Sequence, residues 1–309
     1  MKVLVTGSSG LIGREVVARL ATDGHTVVKF DITDDGSDIR DASALAAAME
    51  GCDGVMHLAA VSRVAWGEAA PALCDDVNIA GTRVLLDVMG QRLRRPWLVF
   101  ASSREVYGDP EIVPVSESAP MQPVNTYGRS KAAGERMIEA ARANGLSVSI
   151  VRLSNVYGTV HDHPDRAVPS LLWRSYKGEE LRLSGVNAFF DFVHVDDTAR
   201  GLVMAAKLLA DGTEQLPTVH LATGVATSLG ELARLSLEVA MSRSSVTVLP
   251  ARSFDVKGFC GNPARAAEVL GWQAEIRLMD GLRRYLEILK KRGRPLDPVD
   301  MPALSQSAA

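Results

Sequence analysis

The chain has 309 residues, 47% of them apolar and 23% charged, with a formal net charge of −3. This suits one large domain or a domain with a smaller lobe, and the interspersed charges argue against nucleic-acid or anionic-membrane partners. No apolar run reaches membrane-spanning length, so we expect a cytoplasmic protein. The cysteines are too dispersed for a disulfide framework, and His161 and His163 lack a third ligand, so we expect no metal. The cysteines are Cys52, Cys74 and Cys260.

Strand-like and helix-like runs alternate through the first half of the chain. Apolar runs at residues 3–6, 25–30, 54–58, 97–101 and 147–152 are separated by segments with helical spacing, including a predicted helix over residues 75–93. In the second half of the chain, a further strand is predicted at residues 190–195. Continuous apolar strands separated by helices are typical of βαβ units, in which a parallel sheet is buried on both faces. The pattern therefore predicts an α/β fold with a doubly wound parallel sheet.

Three glycines lie between the first predicted strand and the first predicted helix. Gly7, Gly10 and Gly13 permit a tight turn, and they let backbone N–H groups and the helix N-terminus approach a pyrophosphate. The spacing is G-x-x-G-x-x-G instead of the more familiar G-x-G-x-x-G, and a glycine-rich turn without a ligand is the alternative. The position of the loop favours a dinucleotide site, with Leu11 and Ile12 beside it.

Asp31 ends the second predicted strand, where a carboxylate can bind the ribose hydroxyls of an adenosine. A carboxylate there would repel a 2′-phosphate, so NAD is favoured over NADP. A capping or loop aspartate is the alternative. The other expected cofactor contacts are Asp38, Ile39, Leu58, Ala59, Ala60, Asn78 and Ser102, although Asn78 could equally make a simple structural hydrogen bond.

Tyr127 and Lys131 are four residues apart on a predicted helix, so a phenol and an ammonium share one face. The lysine, together with the positive nicotinamide of NAD⁺, is expected to lower the pKa of the phenol toward working pH. Ser103, expected on a loop after the strand at 97–101, can hydrogen-bond the same substrate oxygen, with Ser102 as the rival. A core tyrosine and a surface lysine are poor alternatives beside a dinucleotide loop, so the set predicts an enzyme.

The ordered motifs resemble the extended short-chain dehydrogenases/reductases, in particular the NAD-dependent nucleotide-sugar epimerases and dehydratases. The resemblance covers nearly the whole chain and is more specific for the family than for the substrate. Besides the glycine loop, the motifs are DIRD at 38–41, HLAA at 57–60, NIAGT at 78–82, SSREVYG at 102–108, YGRSK at 127–131, RLSNVYG at 152–158, FVHVDD at 192–197 and LGW at 270–272.

The resemblance implies a Rossmann domain with a smaller C-terminal α/β lobe for substrate. We place the dinucleotide-binding domain at residues 1–154 plus about 188–222, the substrate lobe at about 155–187 plus 223–292, and a flexible tail at 293–309. Family members commonly form homodimers through a four-helix bundle, which here would use residues 75–93 and Thr126–Ala143.

The resemblance also assigns chemical roles. Tyr127 would be the acid/base on a sugar hydroxyl, with Ser103 assisting at that hydroxyl and Lys131 orienting the nicotinamide ribose. Asn155 and Arg252 would contact the diphosphate of a nucleotide-diphosphate-sugar substrate, with a surface arginine as an even alternative for Arg252. The expected reaction is epimerisation at C4 through a transient 4-keto intermediate.

Two positions depart from the family pattern. Many members carry an arginine that binds the substrate phosphates where this chain has Phe190. The 4,6-dehydratases carry an Asp-Glu pair, acting at C6 and C5, where this chain has Arg104 and Glu105, and an arginine cannot replace the acid. Glu105, a further expected substrate contact, keeps decarboxylation or dehydration as alternatives, and net reduction of a keto-sugar is another alternative. A non-catalytic NAD-binding module is the alternative from another class.

Overall fold

The computed structural model describes residues 1–34, 36–250 and 256–293. The strands are β1 Lys2–Thr6, β2 Thr26–Phe30, β3 Gly54–His57, β4 Trp97–Ser103, β5 Val148–Leu153, β6 Asn155–Tyr157, β7 Leu181–Ser184, β8 Phe189–Phe190, β9 Phe192–His194, β10 Val219–Leu221, β11 Thr227–Ser228 and β12 Val246–Leu249. The α-helices are α1 Leu11–Thr22, α2 Ala42–Ala48, α3 Val64–Ala69, α4 Pro71–Asp75, α5 Gly81–Gly90, α6 Thr126–Ala143, α7 Ala167–Lys177, α8 Val195–Ala210, α9 Leu229–Ala240, α10 Ala264–Leu270 and α11 Leu278–Arg292.

Six strands form one sheet in the order β10-β5-β4-β3-β1-β2, and every neighbouring pair is parallel. The predicted parallel α/β sheet is therefore confirmed. In the register, Thr6 lies opposite His57 and Ser103 lies opposite Leu153, so the carboxyl ends of these strands meet at one edge. Loops at such an edge are where open α/β sheets bind ligands.

Helices cover both faces of this sheet. Because consecutive side chains of a strand point to opposite sides, both sets of strand side chains are buried. In β1, Val5 packs in a cluster with Val16 of α1 and Leu202 of α8. The adjacent Leu4 packs in a second cluster with Leu85 of α5, and further members of that cluster come from α2 and α6. Double-sided burial explains why the strand sequences are apolar runs without alternation.

A third apolar cluster lies outside the main sheet. It joins Leu172 of α7, Leu232 of α9 and Leu282 of α11 with the buried ring of Phe259. Three two-stranded sheets accompany it: β7 with β12 and β6 with β9 in parallel, and β8 with β11 antiparallel. Among the helices described, none is both long and apolar enough to cross a membrane.

Two predicted elements differ from the structure. The single helix expected at 75–93 is instead α4, a π-helical segment at Asp76–Ala80 and α5, which ends at Gly90. The strand expected at 190–195 is interrupted at Asp191, whose buried carboxylate accepts hydrogen bonds from the backbone N–H groups of Thr223 at 2.8 Å and Gly224 at 2.9 Å. Asp191 therefore separates two short strands, of which β8 pairs with β11 and β9 pairs with β6.

Candidate active site

Steric contacts explain two of the three loop glycines. Gly7 has a φ of +70°, and a Cβ added there would lie 2.6 Å from the backbone nitrogen of Ala59. A Cβ added to Gly13 would lie 2.0 Å from the carbonyl oxygen of Gly7. Gly10 is exposed, and the nearest described atom to an added Cβ is 3.4 Å away, so local packing does not require glycine there. A tight turn with an open outer face is what close approach of a pyrophosphate needs, and these residues therefore fit a dinucleotide.

Asp31 connects the end of β2 to this loop. Its carboxylate accepts hydrogen bonds from the backbone nitrogens of Ser9 at 2.8 Å and Thr33 at 2.9 Å, and from the Thr33 hydroxyl at 2.7 Å. Asp31 therefore shapes the loop, as the alternative interpretation of this aspartate required. Because a carboxylate has about four acceptor positions, a ribose contact stays compatible with these bonds and stays a prediction.

Asp38 and Ile39 have structural partners of their own. The Asp38 carboxylate accepts from Arg40 Nε at 3.0 Å, and Arg40 also contacts Asp76. Ile39 is buried against Gly81, where an added Cβ would lie 2.6 Å from the isoleucine. These contacts hold the residue 38–40 turn against the helix at Gly81, and the expected cofactor contacts of Asp38 and Ile39 stay predictions.

The segment after β3 is held by Asn78. Leu58, Ala59 and Ala60 follow β3 at the sheet edge next to Gly7. The buried Asn78 amide accepts from Val61 N at 2.7 Å and donates to the Ser130 hydroxyl at 2.9 Å. Asn78 lies in the π-helical segment, a distortion found often at functional sites. Its bonds fit the structural interpretation, since they tie this edge to α6.

The predicted helix around Tyr127 and Lys131 is α6. Lys131 is buried, its Nζ lies 6.0 Å from the centroid of the Tyr127 ring, and it donates to the carbonyl oxygen of Ala101 at 2.8 Å. Burial lowers the pKa of Lys131 to about 8. The side chain is therefore still mostly protonated at neutral pH and places a positive charge next to the phenol.

The pKa of Tyr127 is raised above its ordinary value, chiefly because burial penalises the phenolate. The nearby Ser103 hydroxyl and the charge of Arg166 lower the pKa of Tyr127, while Glu105 raises it further. The expected lowering of this pKa is thus not met by the polypeptide's own groups, in which desolvation has the largest effect.

The two neighbouring serines have different partners. Both belong to β4, so the loop expected at Ser103 is wrong; pairing with β5 extends the strand through this residue. The Ser103 hydroxyl accepts from Glu105 N at 3.2 Å and lies close enough to Tyr127 to affect the pKa of the phenol, whereas the Ser102 hydroxyl donates to Glu135 at 2.5 Å. Alternation along the strand separates the two hydroxyls, and this geometry favours Ser103 over Ser102 at the reacting oxygen.

Glu105 is buried between two partners. Its carboxylate pairs with Arg104 Nη2 at 2.7 Å and accepts from the Asn125 side-chain amide at 2.8 Å. Asn125 is also the N-cap of α6, because its side-chain oxygen accepts from Gly128 N at 2.8 Å. One asparagine thereby connects α6 with the segment that follows Ser103.

Asn155 begins β6, and its side-chain oxygen accepts from Arg104 Nε at 2.6 Å. The Arg104 guanidinium lies over the Phe190 ring, with its carbon 4.6 Å from the ring centroid. The two departures from the family pattern are therefore in contact with each other. Arg252, the other expected diphosphate contact, lies outside the described residues.

Three side chains near Tyr127 were not assigned a role from sequence. Asn125 precedes a helical run and could have been found from the N-cap preference for asparagine. Arg166, which pairs with Asp162 at 2.7 Å, offers no local signal. For Arg104, the sequence indicates only that the side chain cannot act as an acid. Within the described residues, no cluster of three potential metal ligands is found.

The comparisons with known proteins agree with this geometry. The profile of the NAD dependent epimerase/dehydratase family matches residues 3–216. A UDP-glucose 4-epimerase of Streptomyces lividans is 32% identical over 88% of this chain and 91% of its own length. A solved UDP-glucose 4-epimerase of Thermotoga maritima with UDP-glucose has a TM-score of 0.87 at 28% identity and covers 94% of this chain and 99% of its own. The structure of MoeE5 with UDP-glucuronic acid and NAD has a TM-score of 0.85 at 29% identity, with 94% and 99% covered.

Proposed function

Because the chain belongs to the NAD dependent epimerase/dehydratase family, we propose that it is an NAD-dependent nucleotide-sugar epimerase acting at C4. The observation that carries this proposal is the placement of Tyr127 in the first turn of α6, with its ring centroid 6.0 Å from the Nζ of the buried Lys131 and with Ser103 at the end of β4. The UDP-glucose 4-epimerases among its relatives support a UDP-sugar as substrate.

NAD would be held at the carboxyl edge of the main sheet. When bound, it supplies reversible hydride exchange with a substrate carbon. Gly7, Gly10 and Gly13 would leave room for the pyrophosphate, and Asp31 would accept from the ribose hydroxyls. The remaining proposed contacts are Leu11, Ile12, Asp38, Ile39, Leu58, Ala59, Ala60, Asn78, Ser102, Tyr127 and Lys131.

Tyr127 would act as the acid/base. Its phenolate accepts the proton of the C4 hydroxyl while C4 is oxidised to the ketone, and the phenol returns the proton when the ketone is reduced on its other face. Ser103 hydrogen-bonds the reacting oxygen and Lys131 favours the phenolate. Since burial raises the pKa of Tyr127, its ionisation depends on positive charge nearby. The substrate lobe, for which we propose residues of about 155–187 and 223–292, would hold the nucleotide.

A proton NMR time course in D₂O tests this function. The NAD⁺-supplemented protein is offered UDP-, dTDP-, GDP- and CDP-sugars, including uronates, and the expected product is the C4 epimer without solvent deuterium on carbon. Deuterium at C5 with loss of water or CO₂ would instead indicate a lyase that uses Glu105. Because Glu105 is bound by both Arg104 and Asn125, its carboxylate is already engaged, and this disfavours the lyase.

Substitution of Tyr127 separates catalysis from binding. We expect Tyr127→Phe to lower turnover by at least about 10²–10⁴-fold, the usual contribution of a positioned acid/base, and to leave NAD binding and folding intact. Tyr176→Phe, at a tyrosine 39% exposed, is the matched control. A Tyr127→Phe enzyme with most of its activity would contradict the assignment.

A non-catalytic NAD-binding module is the alternative from another class. Such a module gains nothing from a charged lysine buried beside a phenol. Lys131→Met should abolish turnover while the affinity for the nucleotide sugar is kept. A wild-type protein that binds NAD and a nucleotide sugar but turns over none of the sugars would favour the module.

We further propose a homodimer through the helices at 75–93 and Thr126–Ala143. One face of α6 carries apolar side chains at helical spacing that are incompletely buried, namely Ala133, Met137 and Ala140. Such a face is suited to packing against a second subunit. Light scattering should give twice the chain mass for the wild type. Met137→Arg should shift the protein toward monomer, and a monomeric wild type would contradict the proposal.

A further inference from the structure

Arg104 is a largely enclosed cation next to the proposed catalytic Ser103. Its side chain is 11% exposed and follows Ser103 directly in the chain. Two of its nitrogens are engaged: Nε donates to Asn155 at 2.6 Å and Nη2 pairs with Glu105 at 2.7 Å. The face of the guanidinium packs on Phe190. These contacts fix the orientation of the planar group.

The third nitrogen has no partner within the described ranges. Arg104 Nη1 is enclosed, yet no hydrogen bond to it is found among residues 1–34, 36–250 and 256–293. A buried donor without an acceptor is costly, most of all on a charged group, and calls for a ligand. Because the other two nitrogens hold the fork in place, Nη1 is oriented before any ligand arrives.

We propose that Arg104 binds an anionic oxygen of the nucleotide sugar through Nη1. The inference rests on the proposed function and deepens it, since it names the group that holds the charged part of the substrate. A nucleotide sugar offers such an oxygen on its diphosphate, and a uronate offers another on its carboxylate. A planar, permanently charged guanidinium suits either group. Many family members carry a phosphate-binding arginine where this chain has Phe190. Arg104, which packs on Phe190, would supply the positive charge instead.

The test is calorimetric titration of the NAD-loaded protein with UDP, UDP-glucose and UDP-glucuronate. Wild type is compared with Arg104→Gln and Arg104→Lys. Because Arg104→Gln leaves Glu105 without its cation, the double variant Arg104→Gln/Glu105→Gln keeps the pair neutral if the single variant fails to fold. Arg234→Gln is the matched control, since this exposed arginine of α9 also pairs with glutamates, Glu231 and Glu238.

We expect the Arg104 variants to bind at least about tenfold more weakly, as loss of a charged hydrogen bond predicts, with no change in the control. Equal weakening for all three ligands assigns the diphosphate, and weakening for UDP-glucuronate alone assigns the carboxylate. Unchanged affinities in folded Arg104 variants would overturn this inference and leave the epimerase proposal standing. A wild type that binds none of the three would overturn the assignment of a UDP-sugar as the substrate and, with it, this inference.

Discussion

The two serine hydroxyls at the end of β4 have different partners, and we propose a structural role for one and a chemical role for the other. Ser102 donates to Glu135, which also accepts from Arg152 Nη2 at 2.6 Å, so this hydroxyl belongs to a buried ionic network. Ser103 points to the other side, where its hydroxyl accepts from Glu105 N at 3.2 Å and lies near Tyr127. Adjacent residues of identical type therefore differ in role only because strand side chains alternate.

This difference predicts opposite outcomes for two otherwise equal substitutions. Ser103→Ala should lower kcat by about tenfold or more, because the reacting oxygen loses a hydrogen-bond partner, and it should cost about 1 kcal/mol or less in the free energy of unfolding, because Glu105 N loses its acceptor at 3.2 Å. Ser102→Ala should instead lower the free energy of unfolding by about 1 kcal/mol or more, because Glu135 loses a buried partner, and should spare kcat. Steady-state kinetics and urea denaturation of both variants provide the check. The reverse pattern would make Ser102 the catalytic serine.

At the scale of elements, the N-terminus of α6 aligns the proposed catalytic groups. Asn125 accepts from Gly128 N and donates to Glu105, while Glu68 accepts from Thr126 N at 2.8 Å. These bonds satisfy N–H groups that a helix start leaves unpaired, and they connect α6 to the segment after β4. The orientation of Tyr127, in the first turn of α6, depends on the same contacts.

Asn125→Ala should therefore affect stability and turnover together. Loss of the cap should cost about 1–2 kcal/mol in the free energy of unfolding, and kcat should fall because the first turn of α6 loosens. Ser228→Ala is the matched control: Ser228 caps α9 through Glu231 N at 3.0 Å, away from Tyr127. It should cost similar stability and leave kcat unchanged. Equal kinetic effects of the two variants would show that Asn125 has no special connection to the site.

Over the whole molecule, buried neutral histidines couple the fold to pH. His57 lies between the hydroxyls of Thr6 at 2.8 Å and Thr82 at 3.1 Å, and burial lowers its pKa to about 3. His220 accepts or donates at the Tyr107 hydroxyl at 2.5 Å, and burial likewise lowers its pKa to about 3. Both rings are neutral in the folded state over a pH range in which the unfolded chain binds protons.

Acidification should consequently unfold the protein before it titrates these rings. Between the unfolded pKa near 6.5 and the folded pKa near 3, the unfolded state binds more protons, so stability falls as the pH falls. Each histidine would cost about 2 kcal/mol between pH 7 and pH 5. Urea denaturation at both pH values measures this loss, and His57→Gln should reduce it by one histidine's share. An identical pH dependence in the variant would exclude His57 as a source.

Local sequence patterns determined the fold class and the proposed catalytic pair. The apolar runs, the loop of Gly7, Gly10 and Gly13, and the four-residue spacing of Tyr127 and Lys131 are short-range features, and strand and helix geometry convert them directly into structure. The parallel sheet and α6 accordingly match their predictions.

Only the tertiary structure decided how distant side chains meet. Arg104 contacts Asn155, which is 51 residues away, and packs on Phe190. The two residues that depart from the family pattern, Arg104 and Phe190, are therefore neighbours in the structure. Asp191 interrupts a predicted strand through bonds 32 and 33 residues along the chain. Burial, which no local pattern specifies, raises the pKa of Tyr127. The physical reason is common to all: periodicity sets the face on which a side chain lies, whereas desolvation and pairing depend on which other segment covers that face.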